Sequence, residues 1–487
     1  ALLFAVHPLQ AESVNWASEA RGLLAALFGL IALWLYLRVT DMEYEAAPVE
    51  DEKPQPPEAE KRTTENASEE SAEEYDEEAD LPPIPVGRYI VYTLATIAFV
   101  LAMLSKPSAA AIPIMAWVLD FAWLGRRPKG HPEVWSDWSL LVVWALISAG
   151  VAYGTSSFQT GMGDVQAQLW WVRPLVAGDA LFFYIYKFFV PLGLSTDYGR
   201  TPTHVVTHWW GYLTWFVPAL LVALLWRLQR PQPWLTAAAI TAIALLPVLG
   251  LIPFAFQFYS TVADRYMYLA MLGPELAVAW LITITDRKAV KYAAAIILCV
   301  LAALSIRQSG FWQDNDTLFM HTLDVNPDSF MAYSNLGTER LAHKEYAEAE
   351  KYFQAALDIY PEHLESLVSM GLLLREQGDV NQAVPYLQHA VDINHDAAPA
   401  LNALGMAYQD QGRLEEANVL LRHAIECDPR YYHAHVSLGK LLLEKEQYPQ
   451  AIDQFVEALD IRQGLVDANF GIAHAMIRQM GEPGAGP

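Results

Sequence analysis

Four sets of ionisable side chains stand at the edges of long apolar stretches, where a charge is costly to keep and therefore calls for an explanation. They are His7, Glu12 and Arg21; Lys106, between Ser105 and Pro107; Asp197, Arg200, His204 and His208; and Asp264-Arg265-Tyr266. Arginine and lysine in such places suit an anionic phosphate, because a guanidinium can bind its oxygens in a forked, charge-assisted way. The aromatic neighbours Phe258, Tyr259, Tyr266 and Tyr268 suit a sugar or an isoprenoid chain. For any one of these residues a helix-capping or interfacial role is an equally good explanation, but the four sets together point to a site. The pair His204 and His208 has helical spacing, yet no carboxylate follows at zinc-site spacing and no HExxH is present, so no metal is indicated. The chain has no phosphate-cradling glycine loop and no nucleophile elbow, which argues against an ATP-driven transporter.

The elements that must position these residues are apolar. Of 487 residues 54% are hydrophobic, and the excess lies before residue 307. Stretches of 16 or more residues, nearly free of charge, fall at about 22–37, 88–105, 108–124, 138–154, 211–226, 234–256, 267–284 and 291–306. Most reach or approach the length needed to cross a hydrocarbon layer, so a polytopic membrane helix bundle in contact with the lipid bilayer is expected. The connections Gly125–Lys129, Arg227–Arg230 and Asp286–Lys291 carry the positive charge, which assigns them to the cytoplasm. Alternating the spans from there puts the His7–Arg21 loop, 155–210, 257–266 and everything after 307 on the external side. That side is periplasmic for an inner (cytoplasmic) membrane, or luminal if the source is eukaryotic. Trp170, Trp171, Trp209 and Trp210 bracket the long external segment, as interfacial side chains would. Within it, 174–194 is apolar but carries Asp179 and Lys187, so that it reads as either a span or a re-entrant or surface-lying helix.

The net charge is −24, but 17 acidic and 3 basic residues within 41–80 account for −14 of it. This acidity does not point to a nucleic-acid partner, and none is expected. With few large aliphatics before Leu81, 41–87 is predicted to be a disordered linker, and the topology puts it in the cytoplasm. The sequon Asn66-Ala67-Ser68 would then lie on the wrong side of the membrane for glycosylation. Two cysteines, Cys299 and Cys427, do not make a disulfide framework. Ala1–Val6 reads as the end of a membrane helix, which leads us to expect a truncated N-terminus.

The last third repeats itself. Leu336-Gly337, Met370-Gly371, Leu404-Gly405 and Leu438-Gly439 are spaced by 34 residues. Each Gly is followed at a fixed interval by an Ala (Ala349, Ala383, Ala417, Ala451), a large apolar residue (Phe353, Leu387, Leu421, Phe455) and a second Ala (Ala356, Ala390, Ala424, Ala458). That is the tetratricopeptide pattern, in which antiparallel helix pairs stack and each is stable only against its neighbours. The repeats are 330–363, 364–397, 398–431 and 432–465, within a domain spanning 313–480 and followed by a tail at 481–487. Pro361 and Pro429 end two of the second helices, where His395 and Gln463 stand in the others. Residues 313–329, with Phe319 and Pro327, read as the second helix of a degenerate repeat whose first helix would be the last span, so the array is expected to dock rigidly on the membrane domain. The whole chain is thus expected to be all-α: membrane helices at 1–40, the linker, a multi-span domain at 88–312, and the repeat α-solenoid.

A family resemblance runs through nearly all of this. The run His7-Pro8-Leu9-Gln10-Ala11-Glu12-Ser13-Val14-Asn15-Trp16 with Arg21, then Leu104-Ser105-Lys106-Pro107, Phe189–Ser195 and Ala263–Leu269, resembles the bacterial relatives of the transmembrane O-mannosyltransferases with tetratricopeptide repeats. The acidic insert 41–87 is the main departure. The resemblance implies a GT-C type glycosyltransferase, which moves a sugar from a polyprenyl-phosphate donor to a protein Ser/Thr hydroxyl at the external face. Its catalytic acidic residue is expected in a loop upstream of residue 1, for which Glu12 is not a substitute. On this reading Arg21, Lys106 and Arg265 would bind the donor phosphate and stabilise charge on the leaving group, no cofactor is certain, and the repeats would present a periplasmic acceptor protein. The alternative is a non-catalytic, membrane-anchored repeat scaffold that binds or braces a periplasmic complex. A transporter ranks behind both, because no broken-helix pair or inverted repeat stands out.

Overall fold

The computed structural model describes residues 2–15, 19–46, 86–126, 134–158, 170–228, 231–252, 255–285 and 287–481. Trp16, most of the acidic linker with its sequon, Arg127-Pro128-Lys129, Arg230, Asp286 and the last six residues lie outside them. Among the described residues every regular element is a helix. The chain forms two compact units, Ala1–Pro191 with Pro202–Ser305, and Leu192–Thr201 with Ile306–Pro487.

The first unit contains α1 (Ala20–Ala46), α2 (Val86–Ser105), α3 (Ile112–Val118), α4 (Val134–Phe158), α5 (Val172–Phe189), α6 (Phe216–Trp226), α7 (Pro231–Leu245) and α8 (Leu272–Ile284), and α9 (Lys288–Gly310) begins in it. Helix α1 runs six residues into the stretch expected to be disordered. Among the described residues four helical stretches are long and apolar enough to cross a membrane: Ala20–Arg38, Asp137–Gly154, Trp209–Trp226 and Lys288–Gly310. Asp264–Ala270 and Leu272–Ile284, bent by 49°, would make a fifth as a pair, and Tyr89–Ser105, Pro107–Trp123 and Gln232–Val248 are apolar but shorter. Each of the eight apolar stretches of the sequence is therefore helical over most of its described residues, but three fall short of a full span. The stretch 108–124 is broken because Pro107 and Pro113 interrupt its hydrogen-bond ladder: a 3₁₀ turn (Pro107–Ala111) leads into α3, which relaxes into a π turn (Leu119–Trp123). The segment 174–194, whose sequence fits either a span or a surface helix, is mostly α5, with Val176, Ala180, Phe183, Tyr184 and Lys187 buried along one stripe.

The surface of this unit is apolar, with Trp34, Leu146, Trp226 and Ile296 all more than half exposed, while charge lies inside. Asp120 sits on the π turn and is fully buried, as is Asp137. Arg126 bridges them, Nη1 donating to Asp120 (3.1 Å) and Nη2 to Asp137 (2.8 Å). Trp138 Nε1 (2.9 Å) and Tyr36 Oη also donate to Asp120, and Tyr92 Oη donates to Asp137. Arg126, which the sequence places among the charges of a cytoplasmic connection, is thus neutralised within the fold.

The second unit is the helical array. It holds α10 (Asn315–Val325), then four pairs: α11 (Phe330–Ala342) with α12 (Tyr346–Ile359), α13 (Leu364–Gln377) with α14 (Val380–Ile393), α15 (Ala398–Asp410) with α16 (Leu414–Cys427), and α17 (Tyr432–Glu444) with α18 (Tyr448–Ile461). α19 (Val466–Gly481) closes it. The spacing of small and large residues has a direct steric cause. A Cβ on Gly337 or Gly439 would stand 2.7 Å from the ring of Phe353 or Phe455, and one on Gly371 2.4 Å from Leu387. Each glycine is the floor on which its partner's large side chain lies, and the signature alanines beside it are fully buried.

The turn joining the two helices of each repeat needs a left-handed residue. Gly378 (φ +91°) and Gly412 (φ +75°) supply it without strain, whereas the first and fourth repeats place Lys344 (φ 62°) and Glu446 (φ 60°) there.

Candidate functional site

In the first unit the opening loop, the turn after α2 and the turn before α8 meet around a small pocket. Glu12 is in the first turn of a short helix, Ala11–Asn15, Lys106 is held extended by the Pro107 that follows it, and Arg265 lies in the 3₁₀ turn Asp264–Tyr266. Arg265 is paired through Nη1 with Glu12 Oε1, its backbone N–H donates to Glu12 Oε2 (2.8 Å), and its Nε stands 3.3 Å from Glu19 Oε1. Its guanidinium also rests over the ring of Phe256, 4.1 Å from the centroid. The ammonium of Lys106 donates to Glu19 Oε2 at 2.8 Å. Burial pushes the Glu12 carboxyl upward, and the Arg265 guanidinium pulls it back. Ser13, Gly22, Tyr266 and Tyr268 are among the other residues of the lining. The cavity is about 40 Å³, room for a few waters rather than for a sugar phosphate.

Lys106, Arg265, Glu12 and Tyr266 are therefore brought together. Other candidates are not. Arg21 is exposed at the start of α1 and does not line the pocket, because the helix turns it away from the face that carries Gly22, Ala25 and Ala26. His7 is buried and consumed by packing: its ring stacks on Phe188, Nε2 meets the Phe188 carbonyl (3.1 Å), and Nδ1 accepts from the Leu9 amide. Burial accordingly lowers its pKa. Asp264 is buried beneath the turn. Asp197 and Arg200 belong to the second unit and not to this pocket. Glu19 was missed by sequence reasoning; its one signal was its place two residues before Arg21, in the same loop as Glu12. Ser13 Oγ is buried at the pocket with no partner among the described residues.

The rings of His204 and His208 lie 4.3 Å apart and tilted by 35°, and His208 Nδ1 meets the carbonyl of His204 at 2.7 Å. Among the described residues the group of three that could ligate a metal lies elsewhere, in the repeats: Asp396, His423 and Cys427.

In the second unit the segment 192–201 forms a strap. The carbonyl of Leu194 accepts from Gln308 Nε2 (3.0 Å) and meets His321 Nε2 (2.9 Å), and Thr196 is bonded to Thr322. Asp197 is its main fastening. Oδ2 accepts from Ser329 Oγ (2.6 Å) and Asn326 Nδ2 (3.2 Å), while Oδ1 accepts from the amide of Gly199. Ser329 in turn caps α11 by accepting from Ala332 N. Gly199 has φ +62°, and a Cβ there would meet the Asn326 side chain at 2.9 Å. Asp197 is thus a structural tie rather than a substrate group, and burial, only partly offset by these hydrogen bonds, raises its pKa.

The first helices of successive repeats are tied to one another by polar pairs. Arg375 pairs with Asp410, and Gln409 donates to Glu444 (2.8 Å), both across an interval of 35 residues. Lys440 Nζ lies 2.5 Å from Asp467 at the last junction.

Residues 328–394 and 362–430 match one tetratricopeptide repeat family, and 402–465 match a second family of the same description. No curated protein matches the chain. Solved structures similar to part of it include YrrB, a TPR protein with an unusual peptide-binding site (25% identity, 35% of this chain and 87% of that one, TM-score 0.27). Others are TTC0263, a thermophilic TPR protein of Thermus thermophilus (21%, 34% and 91%, 0.31), and MamA 41-end from Desulfovibrio magneticus RS-1 (19%, 37% and 99%, 0.27). The C-terminal third of the chain is a tetratricopeptide repeat array.

Proposed function

We propose that the chain is a membrane-anchored scaffold that uses its tetratricopeptide array to bind a partner polypeptide. The observation that carries this reading is the stack of four repeats, in which polar pairs join the first helices of the second, third and fourth. The apolar exterior of the first unit suits an anchor in lipid, and its four span-length helices suit a multi-pass one. With the positive connections on the cytoplasmic side, the array would act in the periplasm, or in the lumen of a eukaryotic compartment, on a protein or complex held there.

The glycosyltransferase reading is the second one, and a specific observation favours it: Lys106, Arg265 and the unpartnered Ser13 hydroxyl line one pocket. Two features count against it. Both cations already face carboxylates, Glu12 and Glu19, so the pocket offers a phosphate little net positive charge. The cavity is also smaller than a donor headgroup. The full chain in lipid nanodiscs, given a polyprenyl-phosphate sugar while the free carrier lipid is followed, separates the two readings. The scaffold reading expects no release of carrier; release that disappears in Arg265→Gln would establish the transferase.

A further inference from the structure

We propose that the junction between the second and third repeats is a site for a thiophilic divalent cation, Zn²⁺ first, held by Cys427, His423 and Asp396. His423 and Cys427 are one turn apart on α16 and so share a face of that helix. Asp396 is in the turn between α14 and α15, where its amide donates to Asn394 Oδ1 (3.0 Å) and the turn aims its carboxylate at α16. His423 Nε2 stands 3.7 Å from Asp396 Oδ1, Cys427 Sγ stands 3.8 Å from the same oxygen, and the three ligand atoms all lie within 4.8 Å of one another. Around tetrahedral zinc, with bonds of about 2.0–2.3 Å, such atoms sit roughly 3.3–3.6 Å apart. Closing the site takes a few tenths of an ångström from the two pairs that involve Asp396 and up to about 1 Å from the His423–Cys427 pair, on one exposed and two half-buried side chains.

The repeat period supplies the internal comparison. One repeat earlier the three positions are Glu362, His389 and Ile393, and one repeat later they are Arg430, Glu457 and Ile461. The thiol position therefore belongs to the apolar register of the second helices, held by isoleucine at both neighbouring junctions. Only at the central junction does a thiolate-forming residue join an imidazole and a carboxylate. Cysteine, histidine and aspartate form a donor set for zinc rather than for magnesium or calcium, which take oxygen alone. On binding, the thiol proton leaves to solvent and Sγ, Nε2 and Oδ1 each donate a pair. Three protein ligands leave the fourth position for water or for a group on a bound polypeptide, and the ion would pin α16 to the preceding turn.

The test uses the full chain in detergent and Co²⁺ as the probe, because a tetrahedral cobalt–thiolate site absorbs where the protein alone does not. We expect one equivalent of Co²⁺ to give this absorption, Zn²⁺ to erase it by displacement, and Cys427→Ser to lack it. His423→Gln and Asp396→Asn should each weaken binding tenfold or more, while Cys299→Ser should behave as the parent. Cys427→Ser keeps the volume and the hydrogen-bond donor, so its unfolding midpoint without metal should match the parent's; a matching midpoint with undiminished cobalt absorption would overturn the proposal. So would absence of the absorption in the parent, or its loss in Cys299→Ser alone.

Discussion

The two units distribute apolar and charged side chains in opposite ways. In the repeats large apolar side chains such as Phe353, Leu387, Leu421 and Phe455 are fully buried, and ionisable groups lie outside in pairs such as Arg375 with Asp410. In the first unit Ile296, Leu146 and Trp226 face outward, and Asp120, Asp137 and Arg126 are buried together. The first arrangement gains stability by removing apolar area from water. The second has little to gain that way where its surroundings are as apolar as its core, so its specificity resides in packing and in matched polar groups. Removing a large side chain should therefore be most damaging in the repeats, and unbalancing a charge most damaging in the first unit.

The largest effect should come from Arg126→Ala. It leaves two buried carboxylates without a counter-charge, and breaking a buried ion pair costs about 3–5 kcal/mol. Folded yield and the unfolding midpoint in detergent should both fall, and adding Asp120→Asn with Asp137→Asn should restore part of the loss; full stability of Arg126→Ala would break the comparison. Phe455→Ala should cost a similar 3–5 kcal/mol, confined to the repeats. Ile296→Ala, 64% exposed on α9, should shift stability in detergent by no more than about 0.5 kcal/mol.

Asp197→Ala should cost about 1–3 kcal/mol, read as earlier unfolding of the array, because it leaves Ser329 and Asn326 without their acceptor. The pH dependence has a definite sign. With the carboxyl's folded pKa raised by burial, the unfolded chain loses this proton first as pH rises, so the native state binds more protons in the interval between the two values. Stability therefore falls as pH rises through that interval and is level above it, and Asp197→Asn should flatten this segment of the profile. Two substitutions should instead give a gain. Lys344→Gly and Glu446→Gly relieve left-handed strain at the turns where the other repeats have glycine, and should each raise stability by about 1 kcal/mol in chemical denaturation.

The repeats were legible because their determinants recur at a fixed interval: the glycine, the ring it supports and the flanking alanines are all within one repeat. The apolar helices of the first unit were legible as helices, but not their ends. Pro107, Pro113 and the π turn at Asp120 break a stretch that reads as uniformly apolar, and α1 continues into acidic sequence. The pocket was half legible. Charges at the edges of apolar runs identified Lys106, Arg265 and Glu12, but which face of α1 points inward decided against Arg21, and pairing made Glu19 an equal member. Asp197 was misplaced because its partners Asn326 and Ser329 lie more than 125 residues away, a separation no local pattern encodes.

The measurement that bears most directly on the scaffold account is position-dependent photocross-linking in native membranes. A cross-linking side chain would be placed at Thr338 or Glu376, exposed on first helices, and at Lys351 or Val419, exposed on second helices. The account predicts a discrete polypeptide adduct from the first pair and none from the second, unchanged when Arg265→Gln is added. Adducts from both pairs alike, from neither, or only when Arg265 is intact would contradict it.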